Sequence, residues 1–210
     1  MLLVSALTSS IIRAQPPDES TPLDNQVKKF LADHAGRWFD MNVPASDGQL
    51  LYDLIIKGNY KRALEIGTST GHSGIWIAWA LSKTGGKLIT IEIDEGRYRT
   101  ALENFKQAGL SDYIDARKAD AHSLVRELEG PFDFVFSDAD KDWYKNYFLD
   151  VEPKLVVGGC FTAHNISPLG QGSGRGQLEF YDYIRKLNNY ETVVNTDGAG
   201  MSISYKKAER

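Results

Sequence analysis

The chain has 210 residues, of which 42% are hydrophobic and 11% aromatic, enough for one good-sized hydrophobic core and hence for one globular domain. Its 24 Lys and Arg residues stand against 28 Asp and Glu residues, a net charge of -4 with no concentrated basic block, so the sequence predicts no nucleic-acid partner. The single cysteine, Cys160, excludes an internal disulfide bond and a zinc site built from cysteines.

The first 24 residues differ in composition from the rest of the chain. Residues 1–12 are mostly apolar, but they are too few for a membrane-spanning helix, which needs about 20 residues. Arg13, Ala14 and a Pro-rich linker follow. This pattern fits a signal peptide cleaved near Ala14, although no basic segment precedes it, or an N-terminal helix that packs on the body or on a second subunit. The main domain is predicted to span residues 25–210.

Strand-like and helix-like segments alternate along the remainder of the chain. Predicted strands cover residues 62–67, 87–93, 114–119, 132–137 and 159–163, and the stretches between them have helical hydrophobic spacing. Residues 191–196 and 201–206 are joined by the turn sequence Asp-Gly-Ala-Gly, which predicts a hairpin. The pattern indicates an α/β fold with a mostly parallel seven-stranded sheet, an antiparallel last strand and helices on both faces.

The first predicted strand leads into a glycine-rich loop, EIGTSTGHSG, from Glu65 to Gly74. Its glycines follow the spacing G-x-x-x-G-x-x-G and not the G-x-G-x-x-G of dinucleotide-binding proteins. Glu92 ends the second strand, where a carboxylate can accept hydrogen bonds from both hydroxyls of a ribose. We therefore expect an adenosine-type ligand without a pyrophosphate. The alternative is that the glycines only form a turn and that Glu92 is a solvated strand end.

Together with the segment FDFVFSDADK at residues 132–141, these features resemble the class I S-adenosylmethionine (SAM)-dependent methyltransferases. The resemblance is to the catechol and caffeoyl-CoA O-methyltransferase group and covers roughly residues 25–207. It implies a Rossmann-like methyltransferase fold and methyl transfer to a hydroxyl of a catechol-type small molecule or, alternatively, of a caffeoyl-CoA-type or other phenolic acceptor. It implies cofactor contacts at Met41, Val43, Glu65, Gly67, Ser73, Glu92, Ile93, Ala121, His122 and Asp138.

The same resemblance implies a metal-assisted reaction. Asp138 and Asn165 match the metal ligands of the family, with Mg²⁺ as its usual ion, and Lys141 matches its general base. Where the family has an aspartate directly before that asparagine, this chain has His164. An imidazole suits Mn²⁺, Fe²⁺, Co²⁺ or Zn²⁺ better than Mg²⁺. We expect His164 to be a ligand, and the alternative is a weakened or absent metal site.

The acceptor side is less defined by the resemblance. Candidate substrate contacts are Phe39, Asp138, Lys141, Trp143, Asn165 and Pro168, of which the aromatic residues and the proline would wall a flat ring. Basic residues that would bind the phosphates of a CoA thioester are sparse, which favours small free catechols.

Two other hypotheses stay beside this one. A nucleotide-dependent oxidoreductase would need the dinucleotide pattern that the glycine-rich loop lacks. A non-catalytic SAM-binding protein would have no need for Lys141. Because SAM is made inside cells, we expect a cytoplasmic protein, with export as the alternative, and the family resemblance permits a monomer or a homodimer.

Overall fold

The computed structural model describes residues 20–167 and 173–209. The predictions for residues 1–19 and for Pro168 therefore lie outside the described residues. The strands are β1 (Arg62–Ile66), β2 (Lys87–Glu92), β3 (Ile114–Lys118), β4 (Phe132–Ser137), β5 (Leu155–His164), β6 (Tyr190–Asn195) and β7 (Met201–Lys206). The α-helices are α1 (Pro22–Asp33), α2 (Ala45–Gly58), α3 (His72–Thr84), α4 (Glu95–Gln107), α5 (Ala121–Glu127), α6 (Tyr144–Val151) and α7 (Arg175–Ile184).

The seven strands form one sheet in the order β3-β2-β1-β4-β5-β7-β6. The first five strands pair in parallel, and β7 runs antiparallel to both of its neighbours, β5 and β6. The predicted fold class is thereby confirmed. The order in which successive strands are added to the sheet reverses between β1 and β4, because β2 and β3 lie on one side of β1 and β4 and β5 lie on the other. Ligands of such sheets bind at this switch point, beyond the carboxyl ends of the strands.

Side chains alternate between the two faces of the sheet, and each face has its own hydrophobic core. On one face Leu64 and Ile66 pack with apolar residues of α5, α6 and α7. On the other, Ala63 and Phe134 pack with α2 and α3. Cys160 belongs to this second core, where burial raises the pKa of its thiol well above the usual value. Helices therefore cover both faces, as the apolar strands predict.

Helix α1 begins inside the stretch that the sequence indicates as a linker. Its N-terminus is a capping box in which Asp24 N donates to Thr21 Oγ1 at 3.2 Å and Thr21 N donates to Asp24 Oδ2 at 2.7 Å. The buried Asp24 also accepts a hydrogen bond from Trp79 Nε1 at 2.6 Å and one from Lys83 Nζ at 2.5 Å, which fasten α1 to α3. Within the part of the chain that is described, no helix has the length and apolar character needed to cross a membrane.

Candidate active site

A cavity of about 330 Å³ lies at the carboxyl ends of β1, β2 and β4. Its wall contains seven of the residues that the sequence predicts as cofactor contacts: Met41, Gly67, Glu92, Ile93, Ala121, His122 and Asp138. Six of these stand at or just beyond a strand end or at the start of the following helix. The sheet therefore brings distant parts of the sequence to one site, as the switch-point rule requires.

Gly67 allows the turn between β1 and the cavity. Its φ of +104° is a conformation that side chains rarely adopt, and an added Cβ would lie 2.8 Å from the backbone oxygen of Asp138. The two strand ends are also joined by a hydrogen bond from Asp138 N to Ile66 O at 2.8 Å. A residue larger than glycine would push β1 and β4 apart at the cavity.

The carboxylate of Glu92 is fixed by several donors. Its Oε2 accepts from Ser69 N at 2.8 Å, and its Oε1 accepts from Asp94 N at 2.9 Å and from Arg97 Nε at 3.3 Å. The side chain is buried and still lines the cavity. Because a carboxylate oxygen accepts more than one hydrogen bond, Glu92 retains acceptor capacity toward a ligand.

Three predicted cofactor contacts, Val43, Glu65 and Ser73, are buried nearby but do not line this cavity. Glu65 Oε2 accepts from Thr90 Oγ1 at 2.5 Å, and Oε1 has no hydrogen-bond partner among the described residues. Burial raises the pKa of Glu65 to about 8, although hydrogen bonds from Ser73 and Thr90 act in the opposite direction. Contacts of these three residues with a cofactor stay predictions.

The segment that carries Met41 is held against the glycine-rich loop. Ser69 Oγ donates to the backbone oxygen of Asp40, and His72 Nδ1 lies 2.8 Å from the backbone oxygen of Val43. Met41 itself has a φ of +50° and is exposed, with its side chain at the cavity wall. The segment thus covers one side of the cavity, where the family resemblance implies a cofactor contact at Met41.

Lys141, the predicted base, is positioned by two neighbours. Its Nζ contacts Asp138 Oδ1 and donates to Tyr144 Oη at 2.9 Å. Tyr144 Oη in turn lies 3.3 Å from the backbone oxygen of His164. Burial raises the pKa of Tyr144 well above its usual value, so the phenol keeps its proton. The sequence analysis missed Tyr144, although its i, i+3 spacing from Lys141 is the spacing of neighbours on a helix.

His164 lies between two carboxylates. Its Nδ1 is 3.2 Å from Asp138 Oδ2, and its Nε2 is 2.8 Å from Asp47 Oδ2. Asp47 Oδ2 also accepts from Ala199 N at 3.0 Å. Burial raises the pKa of Asp47, but the hydrogen bonds from His164 and Ala199 outweigh it and hold that pKa below its usual value. Burial lowers the pKa of His164, and the two carboxylates more than compensate, raising it to about 9.

Asp47 is the second residue that the sequence analysis missed. It lies in the first turn of α2, where an acidic residue is explained by the helix dipole alone. No local pattern links it to His164, which is 117 positions further along the chain. Only the tertiary fold brings the two side chains together.

The predicted metal ligands converge only in part. Asp138 and His164 meet, and Asn165 follows with a φ of +55° and a backbone oxygen that accepts from Gln177 Nε2 at 3.0 Å. Among residues 20–167 and 173–209, no three His, Cys, Asp or Glu side chains form a group suited to a metal ion. The predicted set contains two such side chains, with the amide of Asn165 as its third member.

Two of the three predicted walls of the acceptor pocket, Phe39 and Trp143, lie in the described part of the chain. Phe39 is 87% exposed. The ring of Trp143 lies 4.4 Å from the ring of His122, and His122 lines the cavity already described. Pro168 lies outside the described residues. The roles of these three residues stay predictions.

A mostly parallel seven-stranded sheet with an antiparallel β7, and a cavity at the reversal point lined by a glycine-rich loop and a strand-end glutamate, define a Rossmann-like methyltransferase. The sequence model of the O-methyltransferase family matches residues 16–177. The chain belongs to this O-methyltransferase family, which confirms the predicted membership of the SAM-dependent catechol and caffeoyl-CoA O-methyltransferase group.

Individual relatives agree with this assignment. Caffeoyl-CoA O-methyltransferase 1 of Eucalyptus globulus is 35% identical over 184 residues, covering 85% of this chain and 73% of the relative. Caffeoyl-CoA O-methyltransferase of Medicago sativa is 33% identical over 182 residues, covering 83% and 73%. Among solved structures, the O-methyltransferase of Bacillus cereus in complex with SAH is 26% identical with a TM-score of 0.75, covering 88% of this chain and 91% of that chain. The Streptomyces achromogenes O-methyltransferase TomG, with SAM, is 24% identical with a TM-score of 0.74, covering 88% and 91%, and supports the fold.

Proposed function

We propose that this O-methyltransferase moves the methyl group of SAM to a hydroxyl of a small catechol, with Lys141 as general base and a divalent cation held by Asp138, His164 and Asn165. The observation that carries the proposal is the position of Asp138. This residue lines the cavity, contacts Lys141 Nζ and lies 3.2 Å from His164. A methyl donor in the cavity and an acceptor at Lys141 would therefore meet at one carboxylate.

The donor side of the proposal rests on Glu92 and on the walls of the cavity. SAM supplies an electrophilic methyl group and has an adenosine part with two ribose hydroxyls. Glu92 accepts hydrogen bonds from Ser69 N and Asp94 N and retains acceptor capacity for those hydroxyls. Ile93 and Ala121 line the same cavity and offer apolar surface to the adenine ring. The Bacillus cereus relative, solved with SAH, supports this ligand class.

The residues around His164 suit a divalent cation. His164 Nδ1 is buried and has no hydrogen-bond partner among the described residues, yet it faces Asp138 Oδ2 at 3.2 Å. With the amide oxygen of Asn165, the imidazole nitrogen and the carboxylate oxygen would form a mixed nitrogen and oxygen set, which favours Mn²⁺, Fe²⁺, Co²⁺ or Zn²⁺ over Mg²⁺. When bound, such a cation would lower the pKa of a chelated catechol hydroxyl and orient it.

Lys141 is the proposed base because its Nζ is fixed at Asp138, which lies between the donor cavity and the proposed acceptor site. Tyr144 and Asp138 hold the amine in place, so little reorganisation is needed before the reaction. As a free amine, Lys141 would take the proton of the acceptor hydroxyl at Nζ while that oxygen forms a bond to the methyl carbon. The bond between this carbon and the sulfur of SAM would break at the same time, with the electron pair going to sulfur and SAH as the product that leaves. General base catalysis of this kind typically contributes 10²- to 10⁴-fold in rate.

The surface beside Lys141 favours a small acceptor over a CoA thioester. Asp140 and Asp142 are exposed next to the base, and the ammonium of Lys145 is paired with Glu179 at 2.8 Å. Negative charge at this position repels the phosphates of CoA. The names of the plant relatives nevertheless support a caffeoyl-CoA-type acceptor as the second candidate. The requirement for SAM also favours a location inside the cell.

The proposal is tested by methyl transfer from SAM to protocatechuic acid, with caffeoyl-CoA assayed in parallel. The protein is treated with a chelator, and Mg²⁺, Mn²⁺, Co²⁺ or Zn²⁺ is then restored separately. Lys141→Ala is compared with Lys145→Ala, a matched control whose partner is the exposed Glu179. We expect metal-restored methylation of the catechol that is lost in Lys141→Ala and kept in Lys145→Ala.

Other outcomes contradict separate parts of the proposal. Methylation of caffeoyl-CoA alone would replace the acceptor class. Full activity after chelation would contradict the metal, and full activity of Lys141→Ala would contradict the base. SAM binding without methylation of any acceptor, under any metal, would favour a binding protein.

A further inference from the structure

Asp47 occupies a position that the proposed reaction does not by itself explain. The residue is 1% exposed, and its side chain joins α2 to the end of β5 and to the turn between β6 and β7. A buried carboxylate is costly unless several donors hold it. Here the donors are His164 Nε2 at 2.8 Å and Ala199 N at 3.0 Å.

We propose that Asp47 is a positioning residue that fixes the imidazole of His164, so that Nδ1 faces Asp138 as a metal ligand. This inference rests on the proposed metal-assisted function and concerns a residue outside the ligand set.

The orientation of His164 follows from its hydrogen-bond partners. The backbone amide of Ala199 donates to Asp47 Oδ2, and the ionised carboxylate offers only acceptors, so His164 Nε2 must donate to it. A histidine binds a metal as the neutral imidazole, and with the ring hydrogen on Nε2 the lone pair of that form lies on Nδ1, which is buried and faces Asp138 Oδ2 at 3.2 Å. Metal-bound histidines commonly give their other ring hydrogen to a carboxylate in this way, which fixes the ring and strengthens the ligand.

The turn between β6 and β7 keeps Asp47 in place. A Cβ at Gly198 would lie 1.7 Å from Asp47 Oδ1, so a larger residue in the turn would displace the carboxylate. The bond from Ala199 N holds the other oxygen. The carboxylate is thus fixed from the turn as well as from α2, and its orientation does not depend on His164 alone.

The inference is tested by metal binding to the full chain, with Co²⁺ followed by its visible absorption and Zn²⁺ by calorimetry. We expect Asp47→Ala to weaken binding of both ions 10- to 100-fold, the loss typical for such outer partners. Asp47→Asn keeps an acceptor oxygen and should lose less. Asp53→Ala is the matched control, because Asp53 is an exposed carboxylate on the same helix that contacts Gln49.

A second variant and a spectroscopic readout guard against a simple folding defect. Gly198→Ala leaves Asp47 present but displaces it, and it should also weaken Co²⁺ and Zn²⁺ binding. In the zinc-loaded protein, nitrogen-15 NMR of the histidines should place the remaining hydrogen of His164 on Nε2 and zinc on Nδ1. His164→Gln identifies the signal among the four histidines of the chain.

The possible outcomes distinguish the positioning role of Asp47 from the metal-assisted function on which it rests. Unchanged ion binding in both Asp47→Ala and Gly198→Ala, or zinc on Nε2, would overturn the positioning role while leaving the metal in place. Failure of the wild-type protein to bind either ion would overturn the metal-assisted proposal and this inference with it.

Discussion

Glu65 makes the stability of the protein dependent on pH in a way that one substitution should remove. The side chain is fully buried, and burial raises its pKa from 4.5 to about 8. The folded protein therefore keeps a proton on Glu65 near pH 7, where the unfolded chain releases it. Glu65→Gln replaces the acid with a neutral group of nearly the same shape, which keeps an acceptor for Thr90 but cannot titrate.

The sign and the size of the effect follow from these two pKa values. Below pH 4.5 both states of the chain are protonated at Glu65, and the group imposes no penalty. As the pH rises toward 8, proton release favours the unfolded state, and the accumulated loss of stability approaches about 5 kcal/mol. Between pH 6 and pH 8 the free energy of unfolding should fall by about 2 kcal/mol through this residue alone.

The measurement is urea unfolding of the ligand-free wild-type and Glu65→Gln proteins at pH 6, 7 and 8. Contributions of other titrating groups cancel in the difference between the two proteins. The free energy of unfolding of the wild type, relative to that of Glu65→Gln, should therefore fall as the pH rises. Glu103→Gln, at an exposed position of α4, serves as a control that should follow the wild type. Parallel curves for wild type and Glu65→Gln would refute the reasoning.

Three further substitutions address the cavity and the base. Tyr144→Phe removes the hydroxyl that positions Lys141, and we expect kcat to fall about tenfold and unfolding free energy by about 1 kcal/mol, measured by initial rates and urea unfolding. Glu92→Gln should weaken SAM binding about tenfold in calorimetry, because it removes the charge that strengthens hydrogen bonds to the ribose. Gly67→Ala places a side chain at a positive φ and close to the backbone of Asp138. It should lower the free energy of unfolding in urea by about 1–3 kcal/mol and should also weaken SAM binding in calorimetry. Unchanged values in any of these assays would contradict the corresponding contact.

Most of the sheet was predictable because its signals are local. The apolar runs of β1, β2 and β4 are short, bounded by turns and separated by helical spacing, and the observed strands lie within a residue of the predicted ends. The glycine-rich loop and Glu92 were predictable for the same reason, since the loop continues from the end of β1 and Glu92 is the last residue of β2. By contrast, β5 begins at Leu155, earlier than predicted. Its first residues were not predicted as strand because two glycines interrupt the apolar pattern.

The reaction centre was predictable only where family resemblance supplied it. Asp138 and Lys141 stand in one short segment, but nothing local indicates that His164 meets Asp47 from α2. This contact depends on how α2 packs on the sheet and on the β6–β7 turn, which are properties of the whole fold. Glu65 is a similar case, because its raised pKa follows from complete burial and not from its neighbours in sequence.

The position of Cys160 has a practical consequence for following the molecule in solution. It is the only cysteine of the chain, it is fully buried in the core between the sheet and α2 and α3, and its thiol holds its proton tightly. Maleimide reagents attack exposed thiolates and should therefore leave the native protein unlabelled. A cysteine introduced at the exposed Phe39 would then take a single fluorophore, next to the segment that covers the cavity, and would report donor binding without a background signal.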